Sequence, residues 1–282
     1  RDLHSFPTRR SSDLNVELKE EEYQGIFGVT KATFDKMLSI LEEAYKQRHS
    51  KGGSPLKNLS VLDKLIITLG YYREYRTMRH IAFDYGVSKS MVHKSIHWVE
   101  DVLIQSKEFS LPSKRSLVET KDVKAVLVDV TECEIERPKK NRESTIQQEE
   151  EAYSESPDRA DASTRDILCI SVGKGSQHDF KMFQESKVHF SPRIQAIADK
   201  GFQGLKKLHT NSVIPIKAKR GKQLSALEKI YNAVVSKCRI YIEHINRYIK
   251  RFRIFSSRYR NRRKKFALRF SLICGIYNFQ HG

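Results

Sequence analysis

Cysteine is scarce in this chain of 282 residues: there are four, Cys133, Cys169, Cys238 and Cys274, far apart and without a Cys-x-x-Cys pair. That spacing argues against a zinc or disulfide framework and for reduced core thiols in a cytosolic protein. Long apolar runs are missing too. No stretch of about 18 apolar residues occurs, so no membrane-spanning helix is expected, and there is no signal-peptide core. Negative charge is what the C-terminal third lacks most. After Asp199 the sequence holds 21 lysines and arginines, and its only acids are Glu228 and Glu243.

Cationic charge is there instead, with a net +18 and a pI near 9.7. Lysines and arginines that neutralise phosphates release condensed counterions, so a polyanion is the expected partner, ahead of acidic proteins or anionic membranes. A carboxylate isolated in so basic a stretch needs a reason. For Glu243 the strongest is a divalent metal bound where nucleic-acid phosphates gather. The length allows one large domain or two modest ones.

Two segments look foreign to the rest. Residues 1–14, RDLHSFPTRRSSDL, have no usable apolar period and resemble translated sequencing-adapter text. Residues 1–15 are therefore read as an artefactual or disordered tail. The second segment is acidic, Glu143 to Asp161, ESTIQQEEEAYSESPDRAD. Its composition is that of a disordered loop. DNA encoding it, read one base out of frame, can encode a basic, strand-like alternation, which suggests a compensated pair of frameshifts over about 143–162.

The front half reads as helical. Residues Thr30 to Gln47 carry apolar positions at helical spacing, and Lys51 to Pro55 is a loop. Ser60 can cap a helix from Val61; a second runs from about Thr77 to Tyr85, Gly86 supplies the turn, and Ser88 can cap a third. Helix, short glycine turn, helix is the arrangement that lays its second helix in the major groove. On that helix Lys89, Ser90, His93, Lys94 and His97 face outward toward bases or phosphates. Trp98 is read as core or seam.

The back half alternates strands and turns. VKAVLVDVTECEIERP is a strand broken at Pro138, with Asp129 projecting from it into a polar cleft, since burying an unpaired carboxylate is costly. Ile167 to Val172 is a second strand, followed by a glycine turn, and Ile194 to Ala198 a third, ending in Asp199 beside Gly201 and Gly204. A long helix from about Tyr231 to Phe252 carries a buried stripe, with Glu243 on its flank and looking toward the sheet. FALRFSLICGIYNF returns to the core as a closing helix. RYIKRFRIFSSRYRNRRKKF interleaves aromatics with arginines, as a phosphate-tracking surface would. Three acids on three elements offer hard oxygen ligands to Mg²⁺ or Mn²⁺. Two such ions could serve an in-line phosphodiester displacement.

The blocks VDVTECEIERP, GKGSQHDFKMF, IADKGFQG and IEHINRYIKRFRIFSSRYRNRRKKF, in this order, resemble bacterial insertion-sequence transposases of the DDE superfamily, the insertion-sequence-5 group. The resemblance spans about Val16 to the end. It implies an α/β, RNase H-like mixed sheet with flanking helices over 119–282, preceded by an all-α helix-turn-helix domain over 16–118. It further implies Asp129, Asp199 and Glu243 as catalytic and metal-binding residues with two Mg²⁺ or Mn²⁺ ions. The reaction would be cleavage at terminal inverted repeats and strand transfer into target DNA.

The family's Y-x2-R-x3-E-x6-K signature maps with Arg239, Glu243 and Lys250 present and Ser236 in place of the tyrosine. Arg239, Lys250, Arg253 and Arg260 would hold DNA, and His178 and Asp179 are secondary candidates. A homodimer or higher multimer on DNA, in a bacterial cytoplasm at the nucleoid, is the expected setting. In the family the stretch after ERPKK is basic and leads into the sheet's second strand. Its acidic replacement here predicts a recognisable fold with a defective sheet, and puts activity in question. The competing readings are a non-catalytic helix-turn-helix regulator and a domesticated nuclease without strand transfer.

Overall fold

A computed structural model describes residues 18–50, 52, 59–112, 123–129, 131–136, 152–161, 166–172, 179–185, 191–218, 221–261 and 264–281. The N-terminal tail, most of the 51–55 loop, the glycine turn after Val172, the break at Pro138, residues 143–151 and His178 lie outside them. The chain divides into two units: 1–110 with 251–254, and 111–250 with 255–282.

The first unit is helical. Its elements are α1 (Glu20–Phe27), α2 (Lys31–His49), α3 (Val61–Glu74), α4 (Met78–Asp84) and α5 (Lys89–Gln105). Each start is written locally. Thr30, Ser60, Thr77 and Ser88 occupy the N-caps of α2 to α5, and each side chain accepts a bond from an N–H three residues on. Such a bond satisfies one orphan donor of the first turn. Asp63 returns a bond to the Ser60 N–H at 2.8 Å, completing a capping box. Gly86, at φ +63°, turns the chain between α4 and α5. α1, not foreseen from the sequence, ends at Gly28, whose φ of +77° and closeness to the Phe252 ring exclude a side chain.

Helix α5 buries Val92, Ile96, Val99 and Leu103. Glu100 is also fully buried and accepts a 3.0 Å bond from the Tyr72 hydroxyl. Trp98 is half-buried, with the Lys64 ammonium 4.9 Å from its ring centroid, a cation–π contact rather than a base-stacking platform. Burial, and secondarily Arg48, holds that ammonium below the ordinary lysine range.

The second unit is α/β, with one mixed sheet built from β1 (Ala125–Val128), β2 (Thr131–Glu134), β3 (Ala152–Asp161), β4 (Ile167–Val172), β5 (Gln195–Ala198) and β6 (Ser212–Val213). β1 and β2 pair antiparallel with consecutive stretches of one edge of β3, and β4 pairs with its other edge. β1 runs parallel to β5, and β5 parallel to β6. The spatial order is therefore β4, β3, β1 with β2, β5, β6. This is the RNase H-like mixed sheet with flanking helices expected from the sequence.

The loop expected for the acidic segment is corrected over Ala152–Asp161, which form β3, a strand paired on both edges. Ladder bonds are made by the main chain, so a polar sequence between two partner strands can still satisfy its backbone in the sheet. The strand is irregular where its sequence dictates. Its register against β4 shifts between Pro157 and Arg159, because proline has no N–H to donate. β1 also departs from simple alternation: Val126, Leu127 and Val128 are all buried, as befits a strand covered on both faces.

One sheet face packs on α6 (Asp179–Glu185), a 3₁₀ turn (Lys200–Phe202) and α7 (Leu205–Leu208), through Val126, Val128, Ala196 and Ala198 against Phe183, Phe202 and Leu205. The long helix α8 (Ala226–Lys250) packs on β1 and β5. α9 (Arg253–Ser256) and the closing helix α10 (Phe266–His281) follow, and α10 packs on β4. Asn278 ties α10 to Ile167 by a pair of 2.8 Å bonds. Cys133 and Cys274 are buried and Cys238 partly buried, and none of the three is in a disulfide.

The interleaved basic segment divides by side chain. Tyr248, Phe252, Phe255, Tyr259 and Phe266 are buried, and the last three belong to one edge-to-face cluster with centroids 4.8 to 5.5 Å apart. Its aromatics are therefore core and not a stacking surface, because their area contributes more in the interior. Lys250, Arg253, Arg258 and Arg260 remain exposed.

Candidate active site

The last residue pair of the parallel β1/β5 ladder is Val128 with Ala198. Asp129 and Asp199 are the next residues on these two adjacent strands. They leave the sheet at the same carboxyl end, on chains about 4.8 Å apart. Ligand sites of open α/β sheets form there.

Asp129 marks an interruption. The β1 register on β3 (Leu127 with Ala160) and that of β2 (Thr131 with Glu155) differ by one residue, the extra one lying in β3. Pro157 and Asp158 stand opposite Asp129, at the register shift also seen against β4. A bulge of this kind bends the strand and re-aims the residue beside it. Asp129 is accordingly half-buried although the three residues before it are fully buried.

Both aspartates are held. Asp199 caps the 3₁₀ turn, its Oδ1 accepting a 2.8 Å bond from the Gly201 N–H. Asp129 Oδ2 accepts a 3.1 Å bond from the side-chain amide of Asn246 on α8. Gly204, just beyond, sits so close to the Phe180 ring that any Cβ would collide with it. The turn after Asp199 thus packs directly on the first turn of α6, where Asp179 is the opening residue.

Glu243 also lies on α8, one turn before Asn246, and it is exposed. Ile242, Ile245 and Ile249 form the buried stripe, Asn246 occupies its flank against Asp129, and Glu243 stands roughly 60° further round the helix. Asn246 was missed from sequence. Its signal was a lone amide among the apolar neighbours Ile245, Tyr248 and Ile249. Ser236 and Lys250 are exposed on the same helix, and the Arg239 side chain lies outside what the structure describes.

The other acid of the basic region has a structural task. Glu228 accepts a 2.7 Å bond from the Ser225 N–H and Ser225 caps the Glu228 N–H at 3.3 Å, a capping box that starts α8. Those bonds, the backbone one first, hold its carboxyl below the usual range. Glu243 is left as the acid without such a task. Among the described residues no three His, Cys, Asp or Glu side chains stand together closely enough to hold a metal ion. The two residues that the ladder brings to adjacent strand ends, Asp129 and Asp199, carry hard carboxylates, which suit Mg²⁺ or Mn²⁺ and not a soft metal.

In the helical unit Lys89, Ser90, His93 and Lys94 are exposed on the first turns of α5, and His97 is half-buried. The His93 and His97 rings lie 3.9 Å apart. One face of the helix after the glycine turn thus carries cations and polar groups toward solvent, as a groove-reading helix requires.

A helical unit with such a turn and an RNase H-like sheet carrying aspartates at adjacent strand ends define a class, the DDE endonucleases that act on DNA. The family model "DDE superfamily endonuclease" matches residues 128–278, and "Helix-turn-helix of DDE superfamily endonuclease" matches 57–108. The chain belongs to this superfamily.

It is similar to the "Probable transposase for insertion sequence element IS702" of Microchaete diplosiphon, 38% identical over 94% of this chain and 96% of the relative. It is also similar to the "Putative transposase for insertion sequence element IS112" of Streptomyces albus G, 27% identical over 80% and 82%. No solved structure matches. DNA is the partner implied, and endonucleases of this superfamily generally use divalent metal ions. No described helix is long and apolar enough to cross a membrane.

Proposed function

We propose that this chain is the transposase of an insertion sequence, that it binds the element's terminal inverted repeats, and that it cuts and joins DNA at their ends. The observation that carries this reading is the pair Asp129 and Asp199 at adjacent parallel strand ends, with α8 hydrogen-bonded to Asp129 through Asn246. The two aspartates fit a divalent cation, and Glu243 would supply the third carboxylate from α8. Bound there, two Mg²⁺ or Mn²⁺ ions supply activation of a water or 3′-hydroxyl and stabilisation of the leaving oxygen.

The chain's own residues do the rest. Lys89, Ser90, His93, Lys94 and His97 read or grip the end repeat from α5. Arg239, Lys250, Arg253 and Arg260 hold phosphates near the scissile bond, and the protein acts as a homodimer or higher multimer. Asp179 opens α6 beside the packed turn after Asp199 and, with His178, is a secondary candidate.

A regulator that binds DNA without cutting it is favoured by one observation: among the described residues no third acid groups with Asp129 and Asp199 closely enough to hold a metal ion. Cleavage and strand transfer on end-repeat DNA, with Mg²⁺ or Mn²⁺ and against unrelated DNA, separate the two. The transposase reading expects cutting that Glu243→Gln lowers by at least about 100-fold with repeat binding kept, since the ions contribute several kcal/mol. Binding without cutting in either metal would establish the regulator instead.

A further inference from the structure

We propose that Asn246 is a positioning residue: its amide fixes the Asp129 carboxylate in the orientation that accepts a divalent cation, and ties α8 to the sheet end at the same point. This rests on the reading of Asp129 and Asp199 as an ion-binding pair.

The two carboxylates are oriented by unlike means. Asp199 is held by the Gly201 N–H two residues away, a main-chain donor that substitution leaves in place. Asp129 is held from 117 residues away by a side chain, Nδ2 of Asn246 donating to Oδ2 at 3.1 Å. Its main chain is already fixed, because Val126 to Val128 are fully buried up to the preceding residue. What the strand does not fix is the rotation of the carboxyl group about its side-chain torsions. A donor on one oxygen removes that rotation and settles which lone pairs face outward. The same N–H lowers the repulsion that two adjacent carboxylates feel before an ion arrives.

Asn246 can do this because its own position is over-determined. It is half-buried between Ile245 and Ile249, both fully buried. Tyr248 packs edge-to-face on Tyr277 at 5.2 Å and bonds Gln280, which pins the last turns of α8 to α10. An asparagine is also suited chemically. It donates at every pH, adds no charge to the pair, and so orients Asp129 without competing for the ion. Groups that orient a metal ligand in this way typically affect ion affinity by about 10–100-fold.

The test is Mn²⁺ binding to the full chain without DNA, followed by the electron paramagnetic resonance of free Mn²⁺, alongside the Mn²⁺ dependence of end cleavage and the melting temperature. Asn246→Ala and the near-isosteric, donor-free Asn246→Leu should both weaken Mn²⁺ binding by about 10–100-fold. The half-saturating Mn²⁺ for cleavage should shift by the same factor, and the rate at saturating Mn²⁺ should return. A merely structural role would lower the melting temperature without that metal rescue. If one variant fails to fold, the other is read.

Unchanged Mn²⁺ affinity in a folded Asn246 variant, while Asp129→Asn loses binding, would overturn the positioning role and leave the ion pair standing. Unchanged affinity in Asp129→Asn as well would overturn the ion-binding reading, and the proposal with it.

Discussion

The helical unit and the sheet unit are built from information of different range. In the first, each of α2 to α5 begins at a Ser or Thr whose partner N–H is three residues on, and the turn before α5 hangs on one glycine. In the second, the site depends on β1 meeting β5 some 70 residues later in the sequence, and on α8 meeting Asp129 across 117 residues. Local signals can be damaged one at a time at small cost. A long-range contact concentrates its importance in the residues that let two distant segments approach.

That difference can be broken or sharpened by substitution. The largest stability effect is expected at Gly204→Ala, where the new methyl meets the Phe180 ring. The Phe180 ring, α6 or the turn after Asp199 must shift, for a loss of about 1–3 kcal/mol. Urea unfolding followed by a probe in the sheet unit should show it; an unchanged midpoint would mean that the close approach is not needed.

Ser60→Ala removes the cap and half of the capping box of α3, and should cost about 1 kcal/mol, read as a lower melting temperature of the helical unit. A loss as large as that of Gly204→Ala would erase the distinction between the units. The smallest effect is expected at Lys94→Ala, an exposed position on α5. It should leave stability unchanged and make the slope of log affinity against log salt shallower by about 1. An unaltered slope would remove Lys94 from the DNA contact.

Much of the fold was legible because periodicity and caps are short-range. The ends of α3, α4 and α5 fall within a residue or so of Ser60, Thr77, Gly86 and Ser88. β4 spans Ile167–Val172 and β5 ends at Ala198, as the apolar runs predict. The loop expected over Ala152–Asp161 is a strand instead because composition reports side-chain burial, whereas β3 is held by main-chain pairing on both edges. The aromatics after Arg247 were misread for a related reason. Alternation with arginine is equally consistent with a stacking surface and with a core strip, and only the packing of Phe255, Tyr259 and Phe266 distinguishes them.

At the site, Asp129 and Asp199 were legible as acids ending apolar runs, and Glu243 as an acid without a structural task. The amino-acid sequence by itself determined the cationic character, the helix starts, the strand-forming runs and which three acids are candidates, since each is carried by residues within a few positions of one another. The tertiary structure alone decided three further things: that two of the acids end adjacent parallel strands, that an acidic stretch becomes a paired strand of the sheet, and that Asn246 on α8 bonds Asp129. Those outcomes depend on register and on the rotation of one helix against a sheet. Both are settled by which buried faces meet, and no local pattern encodes that meeting.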